Sequence, residues 1–306
     1  MNAGGAEADG TRAGYVALVG RPNAGKSTLL NTLIGEKLSI VTPRAQTTRD
    51  RVTGILTRED GQVVFVDTPG LLEPRYLLQQ SMLEAALSAL RSADATLLLL
   101  DGTRSTEDAP PAETLEALAA APALHVGLNK TDVAEDAALD AWQGWAAEHL
   151  PGRPVNRLSA ATGAGVDALL DALVRELPPS PYLFPEDDIA VQPVRFFVAE
   201  LVRETLFEEL REEVPYSAAV AVEEFREADD PLYIRATIYV ERESQKAIVV
   251  GKGGREIRGV GARSRQKIES FLGRRVYLDL WVKTRPGWRK KKSGLREFGY
   301  ELSEGG

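Results

Sequence analysis

Hydrophobic and polar positions in the first half of the chain alternate between two patterns. Short apolar runs predict buried strands, and apolar residues at helical spacing predict helices. The predicted strands are 15–19, 51–57, 62–66, 97–100, 123–128 and 155–158, and the predicted helices are 27–33, 77–91, 112–120, 136–150 and 166–176. This alternation indicates an α/β domain, with a mostly parallel sheet covered by helices on both faces.

The pattern changes after a cluster of prolines at Pro178, Pro179, Pro181 and Pro185, which cannot continue a helix. Beyond it, the predicted order is helix 194–213, strands 218–225 and 233–241, helices 244–249 and 255–272, and strand 275–282. This order indicates an α+β domain. We therefore predict four regions: a disordered N-terminus at 1–13, an α/β domain at 14–178, a linker at 179–191, and a second domain at 192–306.

Composition narrows the function classes. The absence of cysteine excludes disulfides and cysteine-based zinc sites. Residues 1–14 lack the apolar core of a secretory signal, and the most apolar run, 95–100, is too short to span a bilayer. We therefore expect a cytoplasmic protein. Residues 246–292 hold 15 Lys+Arg and 3 Asp+Glu, which gives +12 there and −20 elsewhere in a chain of net charge −8. Such a segment is either a polyanion-binding module or a solvated basic face.

A phosphate-binding loop is predicted where the first strand meets the first helix. Glycines let successive backbone N–H groups point at phosphate oxygens, and the helix N-terminus adds its positive dipole end. Lys26 would contact the β- and γ-phosphates, and Ser27 would offer a hydroxyl to Mg²⁺. The predicted nucleotide-binding residues of this loop are Gly20, Arg21, Pro22, Asn23, Ala24, Gly25, Lys26, Ser27 and Thr28.

A second motif follows strand 62–66 and comprises Asp67, Thr68, Pro69, Gly70 and Leu71. Asp67 can reach Mg²⁺, and the Gly70 amide can bond the γ-phosphate. The polar loop 43–50 would be the first switch, in which a threonine completes the Mg²⁺ shell only while the γ-phosphate is present. We favour Thr48 over Thr47 for this ligand. Lys26, Thr48, Asp67 and Gly70 are thus the predicted catalytic residues, and residues after Gly70 form the second switch.

A third motif selects the base and comprises Asn129, Lys130, Thr131 and Asp132, with Ser159 and Ala160 after the last strand. The Asp132 carboxylate can accept from N1–H and N2–H₂ of guanine, which adenine lacks. Asn129 would brace the phosphate loop, and a Ser159 or Ala160 amide would contact guanine O6. The motifs have the order and spacing of the translation-factor class of P-loop GTPases, so the predicted ligands are GTP, GDP and Mg²⁺.

Position 71 argues against fast catalysis. GTPases that orient the attacking water with glutamine carry it directly after this glycine, and here the residue is Leu71. We predict slow intrinsic hydrolysis that depends on positioning and electrostatics.

The second domain carries a Gly-x-x-Gly turn between two predicted helices. Such a turn lets the backbone approach a nucleic-acid strand while a lysine neutralises phosphate, as in KH domains. Interleaved aromatic residues could stack bases, although Tyr277 and Trp281 could equally belong to the core. The predicted RNA-binding residues are Gly251, Lys252, Gly253, Gly254, Arg255, Arg258, Lys283 and Trp288. DNA is not excluded by these features, but KH turns hold single strands.

From about residue 14 to about 300, the chain resembles the bacterial Era family of GTPases. Besides the three nucleotide motifs, the resemblance rests on residues 46–49, 249–254, 280–283 and 287–288. It implies a type II KH domain, binding near the 3′ end of 16S ribosomal RNA, and a role in 16S processing and maturation of the 30S subunit. It also implies peripheral association with the inner membrane, and we expect a monomer and no DNA partner.

Three functions remain open from the sequence. The first is a switch enzyme in which GTP favours RNA binding. The second is a non-catalytic RNA-binding protein with a structural nucleotide, which Leu71 would permit. The third is a membrane-surface GTPase that places its basic tail on anionic lipid.

Overall fold

The computed structural model describes residues 10–44, 46–300 and 302. Predictions on residues 1–9 lie outside this range. The strands are β1 Arg12–Val19, β2 Val52–Arg58, β3 Gly61–Asp67, β4 Ala95–Asp101, β5 Leu124–Asn129, β6 Val155–Arg157, β7 Ala219–Arg226, β8 Leu232–Val240 and β9 Val276–Thr284. The helices are α1 Lys26–Ile34, α2 Leu77–Ser92, α3 Ala112–Ala119, α4 Asp136–His149, α5 Val166–Glu176, α6 Val194–Glu209, α7 Val214–Ser217, α8 Glu243–Val250, α9 Arg255–Leu272 and α10 Lys292–Glu297.

The described residues form two compact units. The first contains the residues up to 39, residues 48–74 and residues 82–191. The second contains the described residues of 40–47, residues 75–81 and the described residues from 192 onward. The predicted linker, 179–191, thus groups with the first unit, where the Ile55 amide donates to the Ile189 carbonyl at 2.9 Å. The sequence did not predict that 40–47 and 75–81 would group with the C-terminal residues.

The sheet of the first unit has the order β2-β3-β1-β4-β5-β6 among the described residues. Only the β2–β3 pair is antiparallel, and the other neighbours are parallel. The carboxyl ends of β1, β3, β4, β5 and β6 therefore lie along one edge. All the predicted nucleotide motifs follow these strand ends, and this edge is where open α/β sheets bind ligands.

Helices cover both faces of this sheet. Ala17 and Val19 of β1 share a buried cluster with Ala86 of α2, Leu118 of α3 and Trp142 of α4. The alternate positions of β1 point to the opposite face. Helix α1 contacts β2 and β3, and α5 contacts β1 and β3. The predicted α/β architecture is confirmed.

The second unit contains a three-stranded sheet with the order β7-β8-β9 among the described residues, in which β7–β8 is antiparallel and β8–β9 is parallel. Its core includes Val198 and Val202 of α6, Ile234 and Ile238 of β8, and Ile268 of α9. The order α6, α7, β7, β8, α8, α9, β9 reproduces the predicted α+β arrangement.

Three local differences from the sequence patterns have physical explanations. Strand β1 begins at Arg12 rather than residue 15, because Arg12 and Ala13 already pair with β3, so residues 12 and 13 are ordered against prediction. The predicted helix 194–213 ends at Glu209, and a separate turn, α7, begins at Val214 with Pro215 in its first turn. Helix α10 was missed because its six residues are too few for an amphipathic pattern. No helix in the described ranges combines the length and apolar character needed to cross a bilayer.

Candidate functional site

The phosphate loop occupies the turn between β1 and α1. Gly20 has φ +150° and Gly25 has φ +100°, conformations that L side chains rarely adopt. A Cβ atom at Gly20 would lie 2.3 Å from the Leu99 carbonyl oxygen, and one at Gly25 would lie 2.1 Å from Asn129 Nδ2. These glycines are therefore required both by backbone conformation and by the close approach of β4 and β5.

Lys26 begins α1 and is buried. Its ammonium Nζ donates to the carbonyls of Gly20 and Arg21, both at 3.0 Å. Burial lowers the pKa of Lys26 to about 8, although the nearby Asp67 carboxylate opposes this shift. Burial likewise raises the pKa of Asp67, against the attraction of Lys26 and a hydrogen bond from Ser27. The two charges are thus held together at the strand edge with little solvent around them.

Three oxygen-bearing side chains converge beside Lys26. Ser27 Oγ donates to Asp67 Oδ2 at 2.6 Å and lies 3.0 Å from Thr48 Oγ1. Thr48 Oγ1 lies 3.5 Å from the same carboxylate oxygen. Asp67 Oδ1 is buried and has no hydrogen-bond partner among the described residues. Mg²⁺ prefers oxygen ligands such as hydroxyl and carboxylate groups, and a buried oxygen without a hydrogen-bond partner can bind a cation. These residues therefore fit the predicted Mg²⁺ site. Thr48, rather than Thr47, brings its hydroxyl there.

Asn129 ties two loops together at the end of β5. Its amide Nδ2 donates to the Ala24 carbonyl at 2.8 Å, and its Oδ1 accepts the Ala160 amide N–H at 2.9 Å. The side chain is buried. Asn129 therefore fixes the phosphate loop relative to the loop after β6, as its predicted bracing role requires.

The predicted guanine-reading residues lie next to each other. Ser159 Oγ donates to Asp132 Oδ1 at 2.6 Å, which orients the carboxylate. The two amides predicted to reach guanine O6 are both engaged, because the Ser159 N–H donates to the Ala164 carbonyl at 2.9 Å and the Ala160 N–H donates to Asn129. Contact between either amide and guanine O6 therefore stays a prediction, and it would require one of these N–H groups to leave or share its present acceptor.

Asp101 is a site residue that the sequence analysis missed. Its Oδ2 accepts from Lys130 Nζ at 2.6 Å, and its Oδ1 accepts from the Thr103 amide at 3.0 Å. Lys130 itself has φ 67°. An available signal was that Asp101 ends a buried strand at the same edge as Asn129. Asp101 therefore positions the Lys130 side chain within the predicted base-selecting motif.

Gly70 and Leu71 lie against the phosphate loop. A Cβ atom on Gly70 would approach the backbone nitrogen of Pro22 to 2.6 Å, and the Leu71 amide donates to the Gly20 carbonyl at 2.9 Å. The Leu71 side chain is fully buried in the cluster that contains Ala17 and Ala86. Position 71 therefore contributes packing to this apolar cluster.

Three further predicted nucleotide residues, Arg21, Thr68 and Thr131, make hydrogen bonds to backbone carbonyls. Arg21 donates from Nη1 to the Ala109 carbonyl at 2.9 Å. Thr68 Oγ1 donates to the Leu18 carbonyl at 2.7 Å, and the Thr131 amide donates to the Leu158 carbonyl at 3.2 Å. These contacts hold the loops onto the strand ends.

The Gly-x-x-Gly turn joins α8 to α9. Gly251, Gly253 and Gly254 have φ values of +70°, +62° and +75°, and a Cβ on Gly253 would have nothing within 4 Å. Lys252 is exposed on the same turn. The guanidinium of Arg258 lies over the turn, since its Nη1 would be 3.2 Å from a Cβ on Gly254. The turn is thus open on one side and carries positive charge.

Trp288 is a correction to the predicted RNA-binding residues. Its side chain is buried, and its indole Nε1 donates to the Ser217 carbonyl at 2.9 Å. Stacking a base would require it to leave the core, so Trp288 is structural. Lys283 lies on β9 and pairs with Glu223 of β7 at 3.1 Å. Tyr277 and Trp281, for which a core position was equally expected, are exposed.

Comparison with known protein families agrees with this geometry. Residues 15–130 match the family model described as 50S ribosome-binding GTPase, and residues 213–289 match the KH domain model. The fold and site thus define a P-loop GTPase followed by a KH domain.

Full-length relatives are more specific. GTPase Era of Halothermothrix orenii is 41% identical over 292 residues, covering 95% of this chain and 99% of the relative. GTPase Era of Nitratidesulfovibrio vulgaris is 43% identical, covering 96% and 98%. The crystal structure of a substituted Aquifex aeolicus Era bound to GDP·AlF4⁻ is 40% identical, with a TM-score of 0.88, and covers 95% of this chain and 100% of that one. A crystal structure of Era with MgGDPNP and nucleotides 1506–1542 of 16S ribosomal RNA has the same identity and coverage and a TM-score of 0.90.

The chain belongs to the Era family of GTPases. The predicted resemblance is confirmed, and membership of a family of GTP-hydrolysing enzymes favours an enzyme over a protein with a purely structural nucleotide.

Proposed function

We propose that this protein is a GTP-dependent switch that hydrolyses GTP slowly and binds the 3′ region of 16S ribosomal RNA through its KH domain. In this role it assists 16S processing and maturation of the 30S subunit in the cytoplasm. The observation that carries the nucleotide half is the convergence of Ser27, Thr48 and Asp67 oxygens beside the Lys26 ammonium.

Each of these side chains has a role that follows from its position. Ser27, Thr48 and Asp67 would hold Mg²⁺, which when bound neutralises charge on the β- and γ-phosphates. Lys26, freed from the Gly20 and Arg21 carbonyls, places its ammonium on the same phosphates. Thr48 belongs to the predicted first switch, so its coordination of Mg²⁺ would depend on the γ-phosphate.

Slow hydrolysis follows from position 71. The buried Leu71 cannot orient water, and rate enhancement is left to fixed charges and to the amides of the phosphate loop. Multiple-turnover phosphate release, measured with and without RNA, tests this part. If no phosphate release is detected even in the presence of RNA, the protein is not an enzymatic switch.

The RNA half rests on the open, positively charged turn at 251–254. The relative crystallised with nucleotides 1506–1542 of 16S ribosomal RNA supports the choice of RNA. Lys252→Glu reverses one exposed charge on the turn and should weaken binding of a labelled 16S 3′-end RNA by about tenfold, without altering GTP hydrolysis. Arg275→Glu is a matched control, because Arg275 is 80% exposed and lies beyond the far end of α9. Its replacement by glutamate changes the charge by the same amount. Equal losses in both variants would refute recognition by the turn.

Nucleotide control of RNA binding is measured in three states. RNA affinity should be highest with Mg²⁺ and a GTP analogue, and lower with GDP or without nucleotide. Equal affinity in all three states would remove the switch, because a ligand without differential affinity shifts no equilibrium.

Association with the 30S subunit and peripheral association with the inner membrane extend the same proposal. The basic residues Lys290, Lys291 and Lys292 are exposed, as a surface that binds anionic lipid requires. Co-sedimentation with vesicles should increase with their anionic lipid content, and binding that ignores lipid charge would contradict the membrane role.

A further inference from the structure

Two neighbouring residues of α6 hold the segment that precedes Thr48. We call residues 40–44, 46 and 47 the switch segment. Within the second unit, Arg203 Nη2 donates to the Thr47 carbonyl, and Glu204 Oε1 accepts the Val41 amide N–H at 3.4 Å. Thr48, which carries the hydroxyl for Mg²⁺, is the next residue along the chain.

The arginine is held in an unusual environment. Arg203 is 2% exposed, and Glu200 accepts from its Nε at 2.7 Å. Its Nη1 is buried with no hydrogen-bond partner among the described residues. A buried guanidinium with an unsatisfied donor is destabilising relative to a well-packed apolar residue. Such a cost points to a role beyond packing.

The glutamate connects the switch segment to the helix that follows the RNA-binding turn. Glu204 is fully buried, and its Oε2 accepts from Lys267 Nζ of α9 at 2.7 Å. Lys267 also contacts Glu208 at 2.7 Å. Helix α9 begins at Arg255, directly after Gly254. One carboxylate therefore touches both the switch segment and the helix whose N-terminus forms the turn.

The two switches also meet inside this unit. Gln79, in the first turn of α2, donates from Nε2 to Gln46 Oε1 at 3.1 Å. The second unit thus holds residues of the predicted first switch and residues that follow the predicted second switch motif, in addition to the residues of the KH domain.

We propose that Arg203 and Glu204 are positioning residues that hold the switch segment and thereby link the state of Thr48 at the phosphate site to helix α9 and its RNA-binding turn. This inference rests on the proposed function and names the residues that couple its two halves. Arg203 fixes the Thr47 carbonyl, and Glu204 transmits a displacement of Val41 to Lys267. The link is a chain of direct contacts, and its coupling energy is measurable as a ratio of affinities.

The test measures binding of a labelled 16S 3′-end RNA to the full chain with Mg²⁺·GDPNP and with Mg²⁺·GDP. The wild-type ratio of the two affinities should be about tenfold. Glu204→Gln and Arg203→Gln should reduce that ratio to within about twofold, while Arg203→Lys, which can still reach a carbonyl, restores part of it.

Two controls separate coupling from general damage. Glu208→Gln removes a carboxylate that touches Lys267 but not the switch segment, and Arg263→Gln removes the exposed pair with Glu209 between the same helices. Both should keep the wild-type ratio. Hydrogen exchange of a peptide covering 40–48 should be faster in Glu204→Gln, because the Val41 amide loses a charged acceptor.

The outcomes are distinguishable. A wild-type ratio of one would overturn the nucleotide switch of the proposed function itself. A clear wild-type ratio that survives in folded Glu204→Gln and Arg203→Gln, with unchanged exchange of residues 40–48, would overturn this inference alone.

Discussion

Replacing Leu71 by glutamine tests how position 71 contributes to catalysis. Sequence comparison within GTPases suggests that glutamine here should orient the attacking water and raise the rate. The structure predicts a different result, because the Leu71 side chain is fully buried among apolar residues that include Ala17, Val19, Ala86 and Leu90.

The size of the effect follows from that burial. Glutamine has nearly the volume of leucine, so the cavity term is small, but its amide would lie in an apolar cluster without partners. Such a group costs roughly 2–4 kcal/mol. For a unit of this size, the melting temperature of the first unit should fall by roughly 5–15 °C. The hydrogen bond from the Leu71 amide N–H to the Gly20 carbonyl does not involve the side chain, so the substitution should leave this contact with the phosphate loop in place.

The assay pairs a thermal melt with single-turnover GTP hydrolysis. We expect a lower melting temperature and a hydrolysis rate constant at or below that of the wild type. Leu71→Met is the matched control, since a volume-conserving apolar exchange should cost less than about 1.5 kcal/mol. A roughly tenfold faster hydrolysis with an unchanged melting temperature would show that side chain 71 points toward the γ-phosphate, and would refute the reasoning.

Individual contacts of Lys26, Asp101 and Trp288 give four more testable expectations. The pKa of Lys26 is lowered to about 8, and phosphate binding favours the charged form of this lysine, so nucleotide affinity should fall roughly tenfold from pH 7 to pH 9. Lys26→Arg, whose side chain stays charged, measures the part of the change that comes from guanine ionisation. A flat pH profile after that correction would contradict the prediction. In the nucleotide-free protein the sign is opposite, since the unfolded chain holds more protons than the folded one between about pH 8 and the ordinary lysine pKa, so unfolding free energy should rise with pH in that window. Asp101→Asn should weaken the affinities for GTP and GDP equally, by about tenfold, because it removes the ion pair with Lys130. Calorimetry that shows no change would argue against a positioning role for Asp101. Losses in Asp101→Asn and Lys130→Ala that simply add in the double variant would argue against it as well. Trp288→Phe removes the donor to the Ser217 carbonyl and should destabilise the second unit by roughly 1–3 kcal/mol while RNA affinity stays within about twofold; a tenfold loss of RNA affinity in the folded variant would restore Trp288 as a stacking residue.

The nucleotide motifs could be predicted because their chemistry is local. Each is a short run directly after a strand, and parallel strands bring their carboxyl ends to one edge, so Lys26, Asp67 and Asn129 had to lie close together. The preference for Thr48 over Thr47 also agrees with the contact to Ser27.

Residues whose role depends on distant packing could not be predicted. Trp288 sits among basic residues in sequence, and only the fold shows that its indole bonds the Ser217 carbonyl 71 residues away. Arg203 and Glu204 occur in an ordinary amphipathic helix, and their contacts to Thr47 and Val41 span 156 and 163 residues of sequence. Periodicity reports which face of a helix is apolar, but it does not report which loop covers a charged residue on that helix.

The central claim is that the Asp132 carboxylate selects guanine within a Mg²⁺-dependent phosphate site. The most direct test compares binding of GTP and xanthosine triphosphate to the wild type and to Asp132→Asn, in the presence of Mg²⁺. Asparagine can keep the bond from Ser159 but presents an amide donor to the carbonyl that xanthine carries at C2. Asp140→Asn, the same change at an exposed residue paired with Arg157, is the control. We predict that Asp132→Asn loses at least about a hundredfold in GTP affinity and gains for xanthosine triphosphate, whereas the control stays selective for GTP. Unchanged GTP affinity in Asp132→Asn would contradict the account.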